Sequence, residues 1–303
     1  MFGKTTRAIM FSLVALFLFD CMALVIKRLS ADYTTAELAA YRNFFGLFPS
    51  VAALYASSLW RAHGKVWRMR QWRLALTRGV ILTVAQYSLY LSLIYLNFAT
   101  ATTITYANAL FMTALAVPLL GEKVGMMRWS AVIIGFVGVV LIVGPGQDTF
   151  TPAALLPLLA AAMYALAGVT SRMMDEDVPT ALINFYATGM ATLCTFLLVP
   201  ITGGFSPLQA LSDLWWITSM GFFGGTAVLF LIISYRMTEQ SNLAPFSYFG
   251  IPMAFVLGYV FYDEAPFSEL FPGALLIAAG GLLVVWRERQ LRRQAVQSLD
   301  LKR

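Results

Sequence analysis

RAIMFSLVALFLFDCMALVIK, residues 7–27, is one apolar run interrupted by a single acid, Asp20. As a helix rising about 1.5 Å per residue it is long enough to cross a hydrocarbon core of about 30 Å. Lys4 and Arg7 precede it, as they would in a secretory leader. The apolar stretch is long for a leader, however, and no small-residue cleavage site precedes Lys27-Arg28. The run therefore reads as a retained membrane helix. Similar runs follow at roughly 36–58, 74–95, 99–120, 127–144, 152–172, 180–201, 213–235, 242–262 and 269–286. They are continuous, without strict alternation, and lipid admits only helices or closed barrels. The pattern predicts an all-α integral membrane protein of about ten transmembrane helices. Composition agrees: 12% of the residues are charged, against about a quarter in soluble chains.

Lys and Arg set the orientation. The loop after the second run holds Arg61, Lys65, Arg68, Arg70 and Arg73, with Arg78 just beyond, and is predicted to be cytoplasmic. An even number of crossings then places both termini inside. Of the 21 Lys and Arg residues, all but Lys27, Arg28 and Arg42 fall at or near the inner face. The basic segment 288–303 is expected to lie as a tail along the anionic inner leaflet, which accounts for the charge without nucleic-acid binding.

The chain also repeats itself. Leu119-Leu120-Gly121-Glu122-Lys123 closes the fourth run, and Val260-Phe261-Tyr262-Asp263-Glu264 closes the ninth. Gly138 follows Glu122 at the interval at which Gly280 follows Glu264, and Tyr95 and Tyr235 close the third and eighth runs. Lys27-Arg28 after the first run parallels Ser171-Arg172 after the sixth. The ordered set predicts two units, 7–145 and 151–287, of five helices each. Five is odd, so the second unit enters from the opposite side, the inverted repeat that suits alternating access.

Tyr41-Arg42-Asn43, Leu-Gly-Glu-Lys at 120–123, the run Gly135–Ile142, and Glu264 with Gly280-Gly281 in the second unit together resemble the drug/metabolite transporter superfamily, in its EamA-type ten-helix members. The resemblance covers about residues 8–287. Spans one to four also resemble the bacterial branch that includes S-adenosylmethionine uptake carriers. The resemblance implies two five-helix repeats and transport of small metabolites, and it leaves the substrate open.

Asp20 and Arg42 are the residues that cost most in lipid, so each is expected to face protein or water. They lie at similar depth on consecutive helices. An ion pair, or a shared cavity binding the charged ends of a substrate or a proton, are both open readings. Gln86, Tyr90, Thr105, Asn108, Tyr164, Asn184, Tyr186 and Tyr248 are candidate cavity-lining residues, with helix–helix hydrogen bonding the alternative. Tyr164 stands in span six at the place of Asp20, and Tyr186 is the nearest counterpart of Arg42. Pro118, Pro245 and Pro252, with Gly224-Gly225 in span eight, are helix breakers; kinks at the prolines of spans four and nine would suit gating, with static bends the alternative. Gly135, Gly138, Gly273, Gly280 and Gly281 are expected to pack spans five and ten together. Glu122 and Glu264 read as caps or loop contacts. Cys21 and Cys194 sit inside apolar runs as buried hydrophobes, and His63 sits in a basic loop. Neither a metal set nor a cofactor motif is present, and no Gly-Lys-Ser/Thr phosphate loop supports direct ATP drive.

The function expected is a secondary transporter in a bacterial inner membrane, moving a small amino-acid-like, zwitterionic or amphipathic metabolite by alternating access. Coupling to protons, exchange or no ion at all stays open, as does monomer against homodimer. A membrane-embedded enzyme is disfavoured because the acidic triplet Asp175-Glu176-Asp177 has no histidine partner. A channel or assembly subunit fits inverted halves less well.

Overall fold

The computed structural model describes residues 4–62, 64–121, 125–144, 151–175, 177–237, 243 and 246–300, with backbone alone at 235, 236, 269, 288, 289 and 291–300. His63, Glu122, Lys123 and Pro245 lie outside the described residues. Every regular element among the described residues is helical. In order these are α1 (Lys4–Leu29), α2 (Thr35–Ala56), α3 (Ser58–Ala62), α4 (Trp72–Tyr95), α5 (Phe98–Thr105), α6 (Asn108–Leu120), α7 (Met126–Val143), α8 (Leu155–Arg172), α9 (Thr180–Leu198), α10 (Leu211–Met237), α11 (Gly250–Tyr262), α12 (Phe267–Leu270) and α13 (Gly273–Asp300).

Seven segments are long and apolar enough to cross a membrane: α1, α4, α5 with α6, α7, α8, α9 and α10. α11 and the apolar part of α13 are shorter. α2 has the length but is too polar, and its polar residues Glu37, Arg42, Asn43 and Ser50 are all buried. Its polar face meets protein between α9 and α10, while Phe44, Phe48 and Tyr55 are exposed on its other face. A capping box starts it: the Glu37 N–H donates to Thr34 Oγ1 at 3.3 Å, and the Thr34 N–H donates to Glu37 Oε2 at 2.7 Å.

The main packing joins helices before residue 145 to helices after residue 151. α1 lies on α10, α2 on α9 and α10, α4 on α8 and α9, α6 on α8, α5 on α11, and α7 on α13. The last pair meets through the expected glycines. A Cβ added at Gly138 would stand 2.5 Å from the Gly273 carbonyl oxygen, and one at Gly280 would stand 2.6 Å from that of Ala131. In lipid, where apolar surface gains little by leaving the solvent, such backbone contact is a main source of helix association.

Three expectations change. First, the run 99–120 is broken at Tyr106–Ala107, where the N–H groups of both residues reach back three residues, to Thr103 (3.1 Å) and Ile104 (3.0 Å). A similar turn lies at Tyr248–Phe249 before α11. Neither break is at a proline. Pro118 lies near the end of α6, and Pro252 lies in the first turn of α11, where a missing N–H costs no helical bond. Second, Gly224-Gly225 does not interrupt α10, which runs unbroken, and instead lets α2 approach. Third, the segment after 287 continues the helix of α13 to Asp300.

Candidate functional site

Arg42 sits eight residues into α2 and is 8% exposed. Its Nη1 donates to Asn43 Oδ1 at 2.9 Å, and its Nε points to the sulfur of Met22 on α1 at 3.4 Å. The guanidinium lies against the backbone of α10: a Cβ at Gly224 would come 3.0 Å from Nε, 3.1 Å from Nη2 and 2.6 Å from the Met22 sulfur. Both hydrogen-bond partners are neutral, so the charge is buried without a counter-ion. A charge near the centre of a bilayer costs at least about 2.5–3.5 kcal/mol.

Asp20 is 5% exposed, and its Oδ2 makes no hydrogen bond among the described residues. The ion pair between Asp20 and Arg42 is not formed; Lys27–Glu264 is the pair found among the described residues. Helix geometry explains this. Asp20 and Met22 are two positions apart and project to opposite sides of α1, and Arg42 rests on the Met22 side. Tyr106 stands at the break between α5 and α6. The Tyr106 hydroxyl in turn presses on α11, where a Cβ at Gly250 would meet it at 1.6 Å.

Other buried polar atoms gather around these two charges. Tyr90 is 1% exposed and its hydroxyl is unpartnered; the same holds for Asn43 Nδ2 and Gln86 Oε1. Tyr90 packs in one buried cluster with Met22, and Tyr164 is half-buried on α8, which packs on α4. Buried polar groups are nearly always hydrogen-bonded, so these unpartnered atoms are candidates for contact with water or a bound molecule.

The remaining candidates stand apart. Thr105 donates back to the Ala101 carbonyl at 2.9 Å. Asn108 is the first residue of α6, half-buried just past the break. Asn184 donates to Ser50 Oγ at 3.2 Å, a contact between α9 and α2. Tyr186 donates to the Trp67 carbonyl at 2.9 Å, in the basic loop. Tyr248 lies against Gly281 of α13. Met22 and Gly224, which shape the site, carry no polar signal in the sequence. Tyr106 and Tyr248 could have been found, since they stand at the same offset as Glu122 and Glu264.

One end of the bundle is tied by a saturated cluster. Lys27 Nζ donates to Glu264 Oε1 at 2.6 Å and to the Leu96 carbonyl at 3.1 Å. The Phe98 N–H, first in α5, donates to Glu264 Oε2 at 2.7 Å. Lys27 also lies 5.0 Å from the Tyr262 ring, and the Tyr262 hydroxyl donates to the Leu24 carbonyl at 2.8 Å. Glu264 thus behaves as the structural contact its sequence position suggests.

A bundle of apolar helices around buried polar side chains defines a multi-pass membrane protein. The chain belongs to the EamA-like transporter family, whose profile matches residues 6–144 and again 151–286. It is 25% identical over 267 residues to an S-adenosylmethionine uptake transporter of Rickettsia bellii, covering 87% of this chain and 88% of that one. It is 30% identical over 189 residues to a riboflavin transporter of Vibrio cholerae, 58% of each chain. A crystal structure at 20% identity shares the fold, with a TM-score of 0.64 over 94% of this chain and 99% of the other. The protein is a transporter and not an enzyme.

Proposed function

We propose that this transporter is a secondary carrier for a small zwitterionic or amphipathic metabolite, working by alternating access in the bacterial inner membrane. The observation that carries the reading is the pair of buried ionisable side chains Asp20 and Arg42, without an ion-pair partner among the described residues, on helices that pack against the second half of the chain. Gln86, Tyr90 and Tyr164 complete the lining, with Tyr106 at the helix break.

Ten crossings in two inverted halves, 7–145 and 151–287, with both termini and the tail 288–303 inside, fit the contacts. Segments assigned to the outer face bond to one another: Lys27 to Glu264, Tyr33 to Asp213, and Glu37 to Ser206. Segments assigned to the inner face do likewise: Gln71 to Asp175, Tyr186 to Trp67, and Ser234 to the Ala8 carbonyl. The packing is also two-fold. Exchanging the halves turns α1 on α10 into α8 on α4, and α2 on α10 into α9 on α4. Such symmetry lets the halves exchange conformations and open a shared site to either side.

S-adenosylmethionine and riboflavin are the first substrates to try. Counterflow in proteoliposomes tests the reading: labelled solute should enter against unlabelled internal solute without net current. Steady conductance would replace the carrier with a channel. An imposed pH gradient that drives uptake would assign proton coupling.

A further inference from the structure

We propose that Arg42, Asn43 and Tyr90 form the subsite that takes the carboxylate of the substrate, with Gly224 as the residue that positions the guanidinium. The inference rests on the carrier reading above and adds a polarity to it.

The argument is an inventory of donors and acceptors. A guanidinium has five N–H donors and no acceptor. In this site it meets two neutral acceptors, Asn43 Oδ1 at 2.9 Å and the Met22 sulfur at 3.4 Å. Because Arg42 can only donate, the amide of Asn43 must turn its oxygen toward Arg42 and its Nδ2 donor away. That donor is buried and unpartnered, in a residue with 0% exposure. The Tyr90 hydroxyl, 1% exposed, also has no partner among the described residues, and Tyr90 packs in one buried cluster with Met22, the residue beside Arg42. Positive charge and unused donors therefore share one place, where no carboxylate among the described residues pairs with Arg42. A planar oxyanion supplies what is missing: a negative charge, and acceptor lone pairs that match the guanidinium fork. Asp20 does not compete, since it projects from the other side of α1.

Gly224 makes the placement possible. Any Cβ there would push into Met22 and the guanidinium. Its role is positional, and it is not expected to touch the substrate.

The test uses thermal shift on the full-length purified protein. The probes are matched pairs differing by one carboxylate: S-adenosylmethionine and decarboxylated S-adenosylmethionine, and aromatic and aliphatic amino acids with their amines. At least one acid should bind ten-fold or more tightly than its amine. Arg42→Gln should level that pair. Gly224→Ala should shrink the gap several-fold while amine binding persists. Asn43→Asp covers the case where Arg42→Gln does not fold: it gives Arg42 an internal carboxylate, so the protein should melt no lower and lose its preference for acids. The proposal is overturned if no pair favours the acid, or if the gap survives Arg42→Gln or Asn43→Asp. Counterflow with the same probes keeps the two readings apart. Exchange that ignores the carboxylate sinks the subsite alone, whereas no exchange of any probe sinks the carrier.

Discussion

Two charge systems in this molecule are built from the same residue types and differ in how complete they are. At one end of the bundle, Lys27 and Glu264 spend their donors and acceptors on each other, on the Leu96 carbonyl and on the Phe98 N–H. In the interior, Asp20 and Arg42 are more deeply buried and do not meet. A closed system stabilises one arrangement of helices. An open system costs stability in the empty protein, and the energy is recovered when a ligand supplies the missing charge. Of the two, the open system is the one proposed as the site.

The largest expected effects would break this contrast at its centre. Asp20→Asn and Arg42→Gln should each lower counterflow by about a hundred-fold or more, because an unmatched charge on a buried substrate costs several kcal/mol. Both variants should melt at or above the wild-type temperature, since each replaces a buried ionisable group that has no ion-pair partner among the described residues. Transport that survives both changes in inserted protein would return the two residues to structure. The converse holds at the saturated end. Glu264→Gln weakens the pair with Lys27, leaves that cation partly buried, and reduces the cap on α5, so a loss of about 1–3 kcal/mol is expected in denaturant or thermal unfolding. Lys27→Met should cost a similar amount. An unchanged melting temperature in both would mean that the cluster holds nothing together.

The apolar runs located the helices because lipid thickness and backbone hydrogen bonding leave few alternatives. Asp20 and Arg42 were visible for the same reason, as exceptions inside such runs. Their failure to pair was hidden. Counting residues gives depth along a helix but not the direction a neighbouring helix faces, and Asp20 and Met22 point opposite ways. The breaks at Tyr106 and Tyr248 were hidden because neither carries proline or glycine at the turn itself, while Pro118 and Pro252 drew attention to positions inside α6 and in the first turn of α11, where the helices continue through them. Tyr186, matched to Arg42 by sequence position, belongs to the basic loop because Trp67 folds back to it. Gly224 was visible as a glycine, but its use became clear only once Arg42 lay beside it.

A milder contrast separates two hydroxyls within the candidate set. The Tyr90 hydroxyl is buried and unpartnered, whereas the Thr105 hydroxyl is already satisfied by its own helix. Tyr90→Phe removes a group that no protein atom needs, so the empty protein should gain up to about 1 kcal/mol. If the hydroxyl meets the substrate, counterflow should fall by roughly ten-fold, the worth of one hydrogen bond.

Thr105→Val is the smallest change and the control for the rest. It deletes a bond from a side chain to the carbonyl one turn back, a type that slightly destabilises and bends helices. Shape and χ1 restriction are nearly kept. Stability should therefore stay within about 0.5 kcal/mol, and counterflow within about two-fold. A ten-fold loss of transport at unchanged stability would show that Thr105 turns its hydroxyl to the substrate during the cycle. The open site would then extend from Tyr90 on α4 across the break at Tyr106, and the helix bond in the resting state would be a placeholder.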